Sequence, residues 1–388
     1  MRTVLLFGSV AATALALTIV ACSSDDDASA PSDGDSGVTS DALSENDAPL
    51  PTGDGSASDD FTSVTQVAAG EGIIVEKVSY VSDGFTIYGQ VCRPDDSVKH
   101  PLVLLNHGGF AGLGSELYAG TLDDAANFCF GAAKNGFVVA ESSYRGEDGS
   151  QGKIEVCNGE VDDVLALLAI LRKKPWIDPV RVGALGGSHG GCISDRVALR
   201  DPTLKVVVEE FGPTDFVKLY DYYVDALDAG EKEPFCVNPD GGTSDCVAIH
   251  QTLLSIITTA TGGTPDTVPA EYAKRSTITD LPNLKVPIII FQGTDDPLVT
   301  VEQACEKRAA LSGIPTYYYD TSLALGNPAT PCGGNYLTSP TPSDGGYTKA
   351  DWPSDRYLFV YQGQGHGFTG AAGAQISTQA LDYLISRL

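Results

Sequence analysis

The strongest constraint on the fold is a set of short apolar runs with no internal polar alternation. They are "PLVLLN" (101–106), "FVVAESS" (137–143), "RVGALG" (181–186), "LKVVVEEF" (204–211) and "VPIIIFQG" (286–293). A run of this length and composition is expected for a strand buried on both faces, which requires helices above and below the sheet. Helical segments lie between the runs. "VDDVLALLAILRKK" (161–174) places apolar residues at three- and four-residue spacing, and "QISTQALDYLISRL" (375–388) reads the same way. Strand alternating with helix predicts an α/β domain built on a doubly wound, mostly parallel sheet. "GIIVEKVSYVS" and "FTIYGQVC", joined at Asp83-Gly84, predict a hairpin opening that sheet.

Two regions interrupt the alternation. Residues 213–280 hold the aromatic cluster "KLYDYYVD", a polar loop and the helical "VAIHQTLLSIITTA", and are expected to form a cap over the carboxyl ends of the strands. Residues 321–355 form a Pro/Gly/Ser/Thr-rich excursion containing Cys332, a length that in a compact domain implies a function, a disulfide or no order.

The first 21 residues read as a leader: Arg2, then an apolar stretch ending in small residues before Cys22. That ending, "IVAC", resembles a bacterial lipobox, which implies lipidation of Cys22 and an exported domain anchored to the cell envelope. Residues 22–72 are expected to be the lipidated cysteine and a disordered linker, because 23–72 carry 12 acidic residues, no Lys or Arg, and almost no large apolar side chain. The folded domain is then expected to be 73–388. Its formal charge, after removing Arg2 and the linker from the totals, is 23 − 39 = −16. No basic patch is present, so nucleic acid is not an expected partner, and membrane association is expected through the lipid alone. Setting Cys22 aside, eight cysteines remain of nine. An even count behind an export signal suits up to four disulfides. Cys236–Cys246, closing "CVNPDGGTSDC", is the best single pairing, and Cys192 reads as a buried core thiol. No spacing fits a metal site, and no cofactor is expected.

Chemistry concentrates in "GGSHGG" (186–191), which follows an apolar strand and precedes a plausible helix. Strand, tight turn and helix are the context a nucleophilic Ser188 requires. A base and an orienting carboxylate should lie downstream. Of the five histidines, His366 in "GQGHGF", directly after the strand-like "RYLFVYQ", is best placed to act as base. The acid lies in "FQGTDDPLVT", where Asp295 and Asp296 compete. Two N–H donors are needed for a developing oxyanion. One is expected from His189, the other from "NHGGF", with Gly109 first and Phe110 second.

Together "WIDPVRVGALGGSHGG", "HGGF", "SSYRG", "EYAKRSTITDLPNLKVPIIIFQGTDDPLVT" and "GQGHGF" resemble, in order, the catalytic domain of prolyl oligopeptidase-like α/β-hydrolases, and are similar to dienelactone-hydrolase-like esterases. The resemblance implies an α/β-hydrolase fold and a serine hydrolase cleaving small ester or peptide substrates. The family pattern G-x-x-D-x-x-V, laid on Gly293 to Val299, selects Asp296. "YRG" implies that Tyr144 and Arg145 lie near the active-site rim, a structural role for Arg145 being equally open. Family peptidases often carry a β-propeller where this chain has its acidic linker, which tilts the expectation toward esters.

Overall fold

A computed structural model describes residues 56–113, 128–228, 236–237, 243–244, 246–339, 342 and 346–388. The leader and Cys22 lie outside these residues. In chain order the domain runs through β1 (Ser63–Gly70), β2 (Ile73–Ser82), β3 (Phe85–Pro94), β4 (His100–Asn106), α1 (Phe128–Lys134), β5 (Val138–Ser142), α2 (Gly159–Leu171), β6 (Ile177–Gly187), α3 (His189–Arg200) and β7 (Val206–Glu210). Then come α4 (Phe216–Asp228), the short pair β8 (Cys236–Val237) and β9 (Thr243–Ser244), α5 (Cys246–Thr261), α6 (Pro269–Arg275), β10 (Ile288–Gly293), α7 (Val301–Ala310), β11 (Thr316–Tyr319), β12 (Leu325–Gly326), β13 (Arg356–Tyr361) and α8 (Gly370–Arg387).

Eleven strands form one sheet in the order β1-β2-β3-β5-β4-β6-β7-β10-β13-β11-β12. From β5 to β11 every neighbouring pair is parallel, and the antiparallel pairs sit at the two ends. The side-chain period of two explains the uninterrupted apolar runs. In β10, Ile288 and Ile290 join the cluster that includes Ile193 of α3 and Ala304 of α7. Ile289 and Phe291 join the opposite cluster, with Ala133 of α1 and Ile376 of α8. Both faces are therefore core, as a doubly wound sheet requires. The β2–β3 hairpin turns at Asp83 and Gly84, both at positive φ (50° and 82°), with Ser82 paired to Phe85. That is the two-residue turn whose twist matches its strands.

The linker proves shorter than residues 22–72. Residues 63–70 form β1, an edge strand on β2, and Ser58 and Thr62 bond back to β2. β1 is almost wholly exposed, so its sequence lacks the apolar run that reveals the central strands. Cys192 is not a free core thiol: it is bonded to Cys157, with Cα atoms 6.0 Å apart. Further disulfides join Cys92 to Cys129 and Cys305 to Cys332. Cys246 is disulfide-bonded, while the expected partner Cys236 has its side chain outside the described residues.

The described residues of the 321–355 excursion are anchored at several points. Cys332 is tied to α7, the guanidinium of Arg308 donates to the carbonyls of Cys332, Gly334 and Asn335, and Trp352 is fully buried with its indole N–H on Gly346. The chain then returns as β13, between β10 and β11. "RYLFVYQ" is thus the strand beside β10, and β11 lies one position further out.

Arg145 is structural, not a rim residue. It is 3% exposed and gives paired hydrogen bonds to Asp163 (3.1 and 2.8 Å), with further bonds to Glu155 and Asp83. Removing one partner of a buried ion pair leaves the others uncompensated, at about 3–5 kcal/mol. Arg145→Ala is therefore expected to lower unfolding free energy by about that amount in urea titrations.

Candidate active site

The serine sits on a turn that only close packing allows. Ser188 adopts φ 54°, ψ −124° between β6 and α3, a conformation costly for a non-glycine residue. Its backbone N–H is held by the Glu210 carbonyl of β7 at 2.9 Å. A Cβ on Gly190 would lie 1.9 Å from the Asn106 carbonyl, and one on Gly186 would lie 2.4 Å from the Gly190 carbonyl. Glycine is thus obligatory where β4, β6 and α3 converge.

The carboxyl ends of three parallel strands converge on that serine. β6 supplies Ser188, the loop after β10 supplies Asp296, and the loop after β13 supplies His366. The imidazole Nε2 is 2.9 Å from Ser188 Oγ, and its Nδ1 is 3.0 and 2.9 Å from the two Asp296 oxygens. An ionised carboxylate can only accept, so the Nδ1–H donates to Asp296 and Nε2 is left to accept from the serine hydroxyl. Asp296 and His366 are 4% and 5% exposed, which removes the competing water. Asp295 points outward and accepts instead from Thr294. Asp296 Oδ1 also accepts from the N–H groups of Leu298 and Val299, both at 2.9 Å, so its orientation is set by its own loop. The Phe211 ring packs 4.6 Å from the imidazole.

The expected cap reaches this loop. Tyr222 and Tyr223 of α4 donate to the carbonyls of Pro297 and Leu298 at 3.0 and 2.7 Å, and His250 of α5 bonds Pro297 at 2.7 Å. The aromatic cluster in the sequence therefore buttresses the segment that carries the acid.

On the other side of Ser188 the chain leaves β4 through His107–Phe110, beside β6, and the two strands lead in opposite directions along the sheet, β4 to β5 and β6 to β7. Such a switch point opens a crevice. His189 begins α3, where the first N–H groups have no acceptor inside the helix. Gly109 has φ +69°. Burial pushes the imidazoles of both His107 and His189 down to about 4, so both are neutral at physiological pH. The loop is also gripped by two acidic side chains outside the sequence expectations: Glu147 accepts from Gly112 N–H and Asp148 from Leu113 N–H. Nothing marks these residues in the sequence, because "RGEDGSQG" reads as an ordinary polar turn. Burial, with Glu160 and Asp148 nearby, pushes the Glu147 carboxyl up to about 8.

A doubly wound sheet that presents a serine on such an elbow, bonded to a histidine and a buried aspartate, is an α/β-hydrolase fold. Residues 83–229 match the X-Pro dipeptidyl-peptidase (S15) family. The chain is 23% identical over 251 residues to the uncharacterized peptidase YtmA of Bacillus subtilis, covering 63% of this chain and 83% of that protein. Among solved structures, acetyl xylan esterase 1 from Thermoanaerobacterium superposes with a TM-score of 0.54 at 16% identity, covering 83% of this chain and 87% of the esterase. The acylaminoacyl peptidase of Pyrococcus horikoshii gives 0.52 at 14% identity, covering 81% of this chain but 41% of the peptidase. These structural likenesses carry the fold.

The buried Glu147 makes stability pH-dependent in a stated direction. Its folded pKa is raised, so the unfolded chain releases this proton first, and the stabilisation is full below about 4.5 and lost as pH rises toward about 8. Glu147→Gln mimics the protonated form. Its stability relative to the unsubstituted protein is expected to rise across that interval and level off above pH 8, measured by urea unfolding at successive pH values.

Proposed function

We propose that the chain is a serine hydrolase acting on carboxylic esters, and that Ser188, His366 and Asp296 form its triad. The observation that carries the proposal is the unbroken hydrogen-bonded relay from Asp296 through His366 to Ser188 Oγ, at 2.9 Å on each side of the imidazole. His366 Nε2 takes the serine proton as Oγ attacks the acyl carbon, then returns it to the leaving group. Asp296 holds the tautomer and stabilises the imidazolium without taking the proton. The backbone N–H of His189 and one from the Gly109–Phe110 turn receive the oxyanion, and water repeats the sequence to release the acid. None of these steps calls for a cofactor.

Esters are the preferred class because the chain accounts for 87% of the esterase but only 41% of the larger peptidase. Peptide hydrolysis is the second reading, favoured by the family match over residues 83–229 and by the similarity to YtmA. The same proposal places the domain outside the cytoplasm, anchored to the bacterial envelope by a lipid on Cys22. Disulfides at Cys92–Cys129, Cys157–Cys192 and Cys305–Cys332 suit an oxidising compartment. Among the described residues no helix is long and apolar enough to cross a membrane.

Residues 56–388 and their Ser188→Ala variant should be assayed on short- and long-acyl nitrophenyl esters and on peptidyl anilides. Ester turnover is expected to fall at least about 10³-fold in the variant, with little anilide cleavage in either protein. Anilide cleavage at rates matching the esters would move the chain to the peptidases, and unchanged turnover in the variant would remove Ser188 from the mechanism. For the anchor, the full chain expressed in a bacterium is expected to take up labelled palmitate, and Cys22→Ser to abolish the label.

A further inference from the structure

The histidine after the nucleophile does more than offer its backbone. Its side chain is 3% exposed and is hydrogen-bonded at both ring nitrogens. Nε2 accepts the Cys157 N–H at 3.0 Å, so the ring proton resides on Nδ1, which donates to the Gly109 carbonyl at 3.2 Å. The ring lies 4.6 Å from Phe110. Its neutral state follows from burial, which holds its pKa near 4.

The donor on the far side of the ring is itself firmly placed. Val156 and Cys157 both have positive φ, 56° and 54°. The Glu160 carboxylate gathers the N–H groups of Glu155, Val156 and Asn158. Of these four successive N–H groups, that of Cys157 alone is aimed at the imidazole. Cys157 is in turn bonded to Cys192, three residues beyond His189 on α3. The ring is thus held from behind by a turn that the disulfide and Glu160 fix.

In front, the ring fixes a peptide. A trans peptide carries its C=O and N–H on opposite sides. The Gly108 carbonyl accepts from His107 Nδ1 at 3.0 Å, and the Gly109 carbonyl accepts from His189 Nδ1. Each carbonyl is turned toward a buried imidazole, so the N–H groups of Gly109 and Phe110 are turned away from those rings. We infer that His189 is a positioning residue for the oxyanion hole: its imidazole clamps the Gly109–Phe110 peptide and so aims the Phe110 N–H, while its own backbone N–H supplies the partner donor. One residue thereby sets the distance between the two halves of the hole. The inference rests on the triad reading proposed above.

Three substitutions separate this role from simple packing. Asn keeps a donor at the Nδ1 position, Gln keeps an acceptor at the Nε2 position, and Leu keeps neither. Losing one oxyanion donor costs about 10²–10³-fold in turnover. His189→Leu is expected to lower kcat about 100-fold with KM within about threefold. His189→Asn should recover at least about tenfold of that loss, and His189→Gln should stay near the Leu level. Rates are read on whichever nitrophenyl ester or peptidyl anilide the unsubstituted protein turns over, and as the rate of fluorophosphonate labelling of Ser188. Equal losses in Asn, Gln and Leu, or a KM effect without a kcat effect, would overturn the clamp. Thermal melts accompany each variant, and if Leu fails to fold the Asn-to-Gln ratio decides alone. Activity surviving in Ser188→Ala would defeat the triad reading itself. An inactive Ser188→Ala beside fully active His189 variants would defeat only the clamp.

Discussion

Everything at the site depends on one close approach. Three backbones meet where β4 ends, β6 ends and α3 begins, with no room for a side chain: a Cβ at Gly190 would overlap the Asn106 carbonyl. That contact forces Ser188 into its positive-φ conformation and lifts its hydroxyl clear of the sheet. It also seats the first N–H groups of α3 beside the loop that leaves β4. The strain is retained because the Glu210 carbonyl, the glycines and the two flanking cores each fix the same backbone.

Around that point the fold supplies reach rather than rigidity of one element. β7 lies between β6 and β10, and β10 is beside β13. Ser188, Asp296 and His366 therefore follow different strands but lie at the same, carboxyl, end of the sheet. The acid is held by its own loop, and tyrosines of α4 buttress that loop, so the cap region helps to orient the imidazole through the segment that carries Asp296. On the opposite flank, buried neutral histidines and acidic side chains hold the loop from His107 to Leu113. The two flanks use opposite electrostatics: an ionised carboxylate orders His366, whereas desolvation keeps His107 and His189 uncharged.

The parallel sheet could be read from the chain because strands buried on both faces must be apolar without interruption. The elbow could be read because its steric demand writes glycines on both sides of one serine. Asp296 over Asp295 came from the spacing of a family pattern, and the structure brings Asp296, not Asp295, to His366. β1 is not legible, since an exposed edge strand needs no apolar alternation, and residues 63–70 share the near-absence of large apolar side chains in the linker before them. The Cys157–Cys192 pairing is likewise not legible, because its two cysteines are 35 residues apart and nothing in their spacing joins them.

The sequence by itself determined the layer architecture, the turn that carries Ser188 and the chain order of Ser188, Asp296 and His366. These are local properties: periodicity, steric exclusion and the placement of polar residues at strand ends. Only the tertiary structure decided what Arg145, Glu147 and the His189 ring do. Each acts through partners distant in sequence, Asp163, Gly112 and Gly109, and a side chain's protonation state and hydrogen bonds follow from burial that no local pattern encodes.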